Sequence, residues 1–226
     1  MIDEVWSLKM SHNEEDVVCD VRIERTRARL AEAVLALAAE GDIARVSVAE
    51  LTRQAGVNRS TFYDHAQSPV ELLTRVLSQD LDDVRRIGMD QLHRDGQLLR
   101  HLTRSTLRGI LQHVLKHEAI YSGPSGSSST YALRVVLAEH IEQSMLPILG
   151  QGFVHVPLPD AEAVQVMAAY LGHGAAGAVE AWLRQPSPRD EDKLLSVIEA
   201  MYPSWLAPDQ ESNKSDLGSD ARSRAS

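Results

Sequence analysis

Between clusters of glycine and proline, the apolar residues of this chain recur at intervals of three and four. Nowhere do β-branched residues alternate long enough to insist on a strand. That spacing predicts an all-α protein. The helix breaks fall at Gly41, Gly56, Asp95-Gly96, Gly123-Pro124-Ser125-Gly126, the stretch 150–159, and Pro186 to Pro188. Aromatic residues are only 4% of the 226, so Leu, Val and Ala must fill the core. The Gly/Ser stretch 123–130 lacks the Gly-Lys-Ser/Thr ending of a phosphate loop and reads as a connection between helices. One cysteine, Cys19, excludes an internal disulfide.

The formal net charge of −9 is unevenly spread. Residues 1–20 hold six acids against one base, and residues 207–226 hold four against three. Neither end has an apolar period, so both are expected to be mobile tails, the first of them acidic. The body, 21–206, then carries only −3. This balance excludes a protein that coats polyanions with its whole surface, but it leaves room for a small DNA-reading face. Arg22, Arg25, Arg27 and Arg29 crowd one stretch, and Arg53 and Arg59 follow. The first ten residues are acidic and lack the apolar run of a secretion signal, which points to a cytoplasmic protein.

Local signals define four N-terminal helices. Leu30, Val34, Leu37 and Ala38 share one face of a helix over 23–40. Ser47-Val48-Ala49-Glu50 is a capping box opening a short helix, 48–55, which stops at Gly56. Asn58 caps a third helix from Arg59 to His65, and Ser68-Pro69-Val70-Glu71 opens a long one over about 69–90. Two short helices joined by a tight turn containing glycine make a helix-turn-helix, whose second helix suits the major groove. Arg59 has the donors for guanine O6 and N7, Asn58, Ser60 and Thr61 are short and polar, and Tyr63 and His65 suit phosphate oxygens.

The run Leu51-Thr52-Arg53-Gln54-Ala55-Gly56-Val57-Asn58-Arg59-Ser60-Thr61-Phe62-Tyr63-Asp64-His65 resembles the tetracycline-repressor-type (TetR) family of bacterial regulators. Ala55, Gly56, Val57, Thr61, Phe62, Tyr63, His65, Ser68, Glu71 and Leu72 stand at matching places, and the likeness covers roughly residues 25–77. It implies an N-terminal three-helix helix-turn-helix DNA-binding domain, 21–68, followed by a larger helical effector-binding and dimerisation domain, 69–206. It also implies a homodimer on double-stranded DNA with a palindromic operator, and a small-molecule effector that releases it, most often from repression. Arg25, Ser47 and Val48 complete the candidate DNA-facing set. Three positions depart from the family pattern: Thr52 stands for Ala, Ala66 for Phe and Pro69 for Lys. Losing that lysine should shallow the salt dependence of DNA binding by about one unit of slope.

Further along, Val164, Ala168, Leu171, Ala175, Ala178 and Trp182 form a heptad-spaced seam, with Gly172, Gly174 and Gly177 beside it. Leu194, Ile198, Met201 and Trp205 form a second. Paired with their copies, the two seams predict a four-helix dimer interface. Residues 163–183 contain only Gln165, His173 and Glu180 as polar residues, yet Ala and Gly contribute too little transfer energy for a membrane span. The resemblance implies an effector pocket within about 97–184, for which His101, His113, Tyr121, His140, Tyr170 and His173 are the polar candidates. His113 and His117 stand at i, i+4, a spacing that lets two imidazoles share a metal, but no third ligand is visible in the sequence. No metal, cofactor or catalytic residue is therefore expected, and a helical enzyme built on that pair is the alternative.

Overall fold

The computed structural model describes residues 3–95, 99–123 and 128–206, with side chains over 21–90, 103–123 and 132–206. The described residues are helical and contain no strand. The helices are α1 (Asp3–Glu40), α2 (Val48–Ala55), α3 (Arg59–Tyr63), α4 (Pro69–Asp95), α5 (Leu99–Lys116), α6 (Glu118–Tyr121), α7 (Ser128–Gly150), α8 (Ala161–Leu183) and α9 (Glu191–Met201). The chain divides into two compact units, Met1–Leu77 with Ala119–Tyr131, and Ser78–Glu118 with Ala132–Ser226. The backbone of α1 begins well upstream of the start that the apolar period gave. The expected tail 207–226 lies outside the described residues.

In the first unit, α1 buries Leu30, Ala33, Val34, Leu37 and Ala38, the stripe the spacing predicts. Ile43, Leu51, Ala55, Phe62, Leu72, Leu73 and Leu77 are buried in the same unit, and Phe62 has no exposed surface at all. Burying an aromatic of that size is worth about 2–3 kcal/mol, so Phe62 pins α3 in place. Ala66 is also buried, so the position keeps its place in the core with a smaller side chain.

In the second unit α5, α7, α8 and α9 contribute Ile110, Leu111, Val114, Leu133, Ile141, Leu171, Trp182, Leu195 and Ile198 to one core. Gly172 shows why small residues sit in α8. A Cβ there would lie 2.8 Å from the Ala138 carbonyl oxygen and 2.8 Å from the Glu142 backbone nitrogen, both on α7. The two helices touch backbone to backbone at that point. Nothing lies within 4 Å of a Cβ built on Gly174 or Gly177. Arg104 and Arg108 of α5 hold α9 through Asp192 at 3.2 and 2.5 Å, and Arg104 also pairs with Glu199.

Candidate nucleic-acid interface

The α2–turn–α3 unit is built by short-range hydrogen bonds. Ser47 Oγ accepts from the Glu50 N–H at 3.2 Å and opens α2. Gly56 closes it with φ of 61°, donating to the Arg53 carbonyl while Val57 donates to the Thr52 carbonyl. That pair of bonds is a Schellman cap, which needs the left-handed conformation that glycine adopts at least cost. Arg29 of α1 donates to the Gly56 carbonyl at 2.8 Å and ties the turn to the first helix. Asn58 Oδ1 then accepts from the Thr61 N–H at 2.7 Å and the Ser60 hydroxyl at 2.6 Å, starting α3. Thr52, a departure from the family pattern, is buried with its hydroxyl donating to the Val48 carbonyl at 2.8 Å, so the extra oxygen is satisfied within its own helix.

Replacing Gly56 with alanine should test this turn. The left-handed conformation costs an L-residue about 1–2 kcal/mol, and the new Cβ would collide with the Arg29 guanidinium. We expect Gly56→Ala to lower the midpoint of thermal unfolding by roughly 2–8 °C. A midpoint equal to that of the unaltered protein would show that the turn is not so constrained.

Arg25, Ser47, Asn58, Arg59, Ser60 and Tyr63 are all exposed, whereas Val48, Thr61 and His65 are half-buried. Asn58 and Ser60 are engaged with each other in the cap. Arg59 and Tyr63 are the long side chains that α3 presents to solvent; Tyr63 is 50% exposed and its ring stands edge-on to Phe62 at 5.4 Å. The entry to α4 is set by Ser68 Oγ, which accepts from the Glu71 N–H at 3.1 Å. The Glu71 carboxylate accepts from the Gln67 N–H at 3.0 Å, one residue earlier than a capping box requires. Arg75 bridges Glu71 at 2.7 Å and the His65 carbonyl, which fixes the end of α3 to the start of α4. Pro69 is buried in this entry, so no cation stands there.

Comparison with known proteins falls on this same segment. The family described as "Bacterial regulatory proteins, tetR family" matches residues 30–76. This segment, about a fifth of the chain, is thus similar to the DNA-binding part of the TetR family.

An uncharacterised HTH-type transcriptional regulator, YxbF of Bacillus subtilis, is 33% identical over 72 residues, which is 31% of this chain and 19% of that protein. The match therefore spans about a fifth of that relative's length. Among solved structures, the Thermus thermophilus FadR repressor in complex with lauroyl-CoA aligns over 77% of this chain and 92% of its own at 17% identity, TM-score 0.56. A TetR regulator from Streptococcus agalactiae aligns over 82% and 98% at 22% identity, also with a TM-score of 0.56. These likenesses extend the TetR fold through the C-terminal helices.

Most residues of the predicted dimer seams fall in the single chain's own core. Val164, Ala168, Leu171, Ala175, Trp182, Leu194 and Ile198 are buried inside the single chain, and Trp182 donates its Nε1–H to the Asp190 carbonyl at 3.2 Å. Ala178 and Trp205 are half-buried, and only Met201 of the set is well exposed, at 67%. The heptad spacing marks the face that α8 and α9 turn toward their own core. Val166, Tyr170 and Val197 are exposed off that stripe, Met201 is exposed at the end of the second seam, and a Cβ on Gly174 would meet nothing within 4 Å.

The candidate effector residues are not gathered into one site. His101 lies outside the described side chains. Tyr121 is half-buried in the first unit. Tyr170 and His173 are exposed on α8, because they fall off its buried stripe. His113 and His140 are buried in the second unit. Burial, then Arg85, pushes His140 down to about 4, and its Nε2 is buried without a hydrogen-bond partner. A narrow cleft with room for little more than a water-sized group lies elsewhere in the same unit. Arg85, Met89, Thr103, Thr106 and Ser144 line it, and the Ser144 hydroxyl donates to the His140 carbonyl at 2.9 Å.

His113 and His117 are joined by a residue the sequence did not indicate. Asp80 of α4 places Oδ2 3.8 Å from His113 Nδ1 and 3.4 Å from His117 Nε2. The three ligand atoms lie within 4.8 Å of one another. Lys116 donates to the same Asp80 oxygen at 2.9 Å. Burial, then the neighbouring His117, lowers His113 to about 4, and burial also lowers His117. Burial raises the Asp80 carboxyl, but hydrogen bonds from Lys116 and His117 outweigh it and the net direction is down. At neutral pH the cluster is therefore two neutral imidazoles and one carboxylate. Among the described residues no helix is long and apolar enough to cross a membrane.

Proposed function

We propose that this protein is a transcriptional repressor that binds a palindromic DNA operator as a homodimer and is released by a small molecule. The observation that carries the DNA reading is the exposed pair Arg59 and Tyr63 on an α3 whose orientation is held by Phe62, the Asn58 cap and the Arg29–Gly56 bond. A side chain reads a base edge only if its backbone is fixed, and here it is fixed from three sides. Arg59 has the planar fork that pairs with guanine, and Tyr63 reaches phosphate. The dimer reading rests on the exposed apolar face of α8 and α9, since contiguous apolar surface of that kind marks an interface. Two reading heads one DNA turn apart, about 34 Å, would demand a palindrome. The effector reading rests on the fold shared with the Thermus thermophilus FadR repressor, solved in complex with lauroyl-CoA, and would put the ligand in the helical body. A ligand would act there by preferring one of two conformers.

Duplexes selected from a random pool by the unaltered protein supply the operator. Arg59→Ala should then weaken binding by roughly 10- to 100-fold and relax the choice of base at one position per half-site. Tyr63→Ala should weaken all duplexes alike. Unchanged binding by both variants in a gel-shift titration would overturn the assignment. The enzyme alternative gains no support from the fold, which is that of regulators.

A further inference from the structure

We propose that Asp80, His113 and His117 form a binding site for one divalent first-row transition metal ion, of the zinc type, in the helical body of the protein. The site requires nothing of the DNA-binding reading. One nitrogen comes from His113 in the last turn of α5, the other from His117 just past the end of that helix, and the oxygen from α4. The spacing decides between a metal site and a plain hydrogen-bond cluster. Strong N–H···O bonds to a carboxylate are about 2.7–2.9 Å long. Zinc bonds of about 2.0–2.2 Å at the tetrahedral angle put neighbouring ligand atoms about 3.3–3.5 Å apart. The Asp80 oxygen stands 3.4 Å from the His117 nitrogen, a weak hydrogen bond, and 3.8 Å from the His113 nitrogen, both close to the edges of such a tetrahedron and longer than a strong hydrogen bond. The rings themselves are 5.0 Å apart and tilted at 57°, so neither stacks on the other.

The donor set selects the ion. Two imidazoles disfavour calcium and magnesium, which take oxygen ligands, and suit zinc, cobalt or nickel. Both histidine side chains are buried, at 3% and 8% exposure, and the Asp80 side chain is 42% exposed, which gives the ion a way in from the carboxylate side. Lys116 now stands where the cation's charge is needed. Its ammonium pairs with Asp80, and its side chain is 65% exposed and can swing into water. Metal and lysine thus compete for one carboxylate oxygen. Water or a small anion would fill the fourth position.

The test uses the untagged full-length chain, stripped with a chelator and desalted, and titrated with Zn(II) by calorimetry and with Co(II) by visible absorption. One ion per chain is expected, with the intense Co(II) bands of a four-coordinate site. Asp80→Asn and His117→Gln should each weaken Zn(II) binding by at least about tenfold, the least that losing even an outer partner of a metal site typically costs. Lys116→Met should bind as tightly as the unaltered protein or tighter, the result a simple ion-pair cluster would not give. Cys19→Ser should bind as before. Far-UV circular dichroism checks that each variant is folded; His117→Gln and Asp80→Asn are near in size to the residues they replace, so one of them suffices if the other misfolds. Absence of stoichiometric binding, binding unaffected by Asp80→Asn and His117→Gln, or loss of the ion in Cys19→Ser would each overturn the site.

Discussion

Acidifying the chelator-treated protein from pH 6.5 to pH 4 should remove on the order of 3 kcal/mol of stability for each of the two most buried histidines, a large share of a typical domain's total. His140 is ordinarily protonated near 6.5 but is lowered to about 4 in the fold by burial and then by Arg85, with Asp82 opposing. His113 is lowered to about 4 by burial and then by His117, with Asp80 opposing and Lys116 and His140 adding to the effect. The unfolded chain therefore takes up these protons as pH falls through 6.5, while the folded chain does not until about 4. The unfolded state binds more protons over that window, so stability is fully present above 6.5 and falls steadily toward 4, by about 1.4 kcal/mol per pH unit for each histidine. Urea unfolding at half-unit pH steps reads the slope. His140→Leu removes one proton site and one unsatisfied buried nitrogen, so it should lose about half of the acid sensitivity and gain stability at pH 5. A flat stability between pH 6.5 and 4, or an unaltered slope in His140→Leu, would contradict the buried placement of these rings.

How far the sequence reached depended on whether a feature is local. The α2–turn–α3 unit was legible because its determinants lie within a few residues of one another. Ser47 caps with Glu50, Gly56 alone fits its φ, and Asn58 caps with Thr61. Arg29 was readable as a charge but not as the donor to Gly56, since 27 residues separate them. Asp80 was invisible for the same reason. An i, i+4 histidine pair announces itself, whereas its carboxylate partner comes from another helix with no spacing rule to find it. The seams failed differently. A 3–4 spacing identifies a buried stripe, but it carries no information on whether the covering helix belongs to the same chain. On α8 the cover is α7, which touches Gly172 directly. Tyr170 and His173 are polar candidates on the helices to which the resemblance assigns a pocket, and both are exposed in the single chain.

That outward face gives the second large effect. Tyr170 is 75% exposed, Met201 67%, Val166 64% and Val197 47%, and a Cβ on Gly174 would meet nothing, so α8 and α9 both carry exposed apolar residues. Tyr170, Gly174, Ala178, Ile198 and Met201 also line one shallow depression across α8 and α9, so the two helices present a single surface. A second copy docking there by a two-fold axis would set each Tyr170 near its counterpart or near Met201, because such an interface is self-complementary. The double substitution Tyr170→Glu with Met201→Glu would bury four carboxylates at that interface, and the unpaired charges should abolish it. Both side chains are exposed in the single chain, so the monomer itself should fold with an unchanged circular dichroism spectrum. Light scattering after gel filtration should then read one chain rather than two. Operator affinity should fall by roughly 10²- to 10⁴-fold, since the second half-site is no longer held at high effective concentration. The seam variant Leu171→Ala offers the contrast. It should destabilise each chain by about 2–5 kcal/mol while leaving the folded fraction dimeric, because its side chain is covered by the protein's own helices. If the glutamate pair stays dimeric and the seam variant becomes monomeric, α8 and α9 pair through the other face.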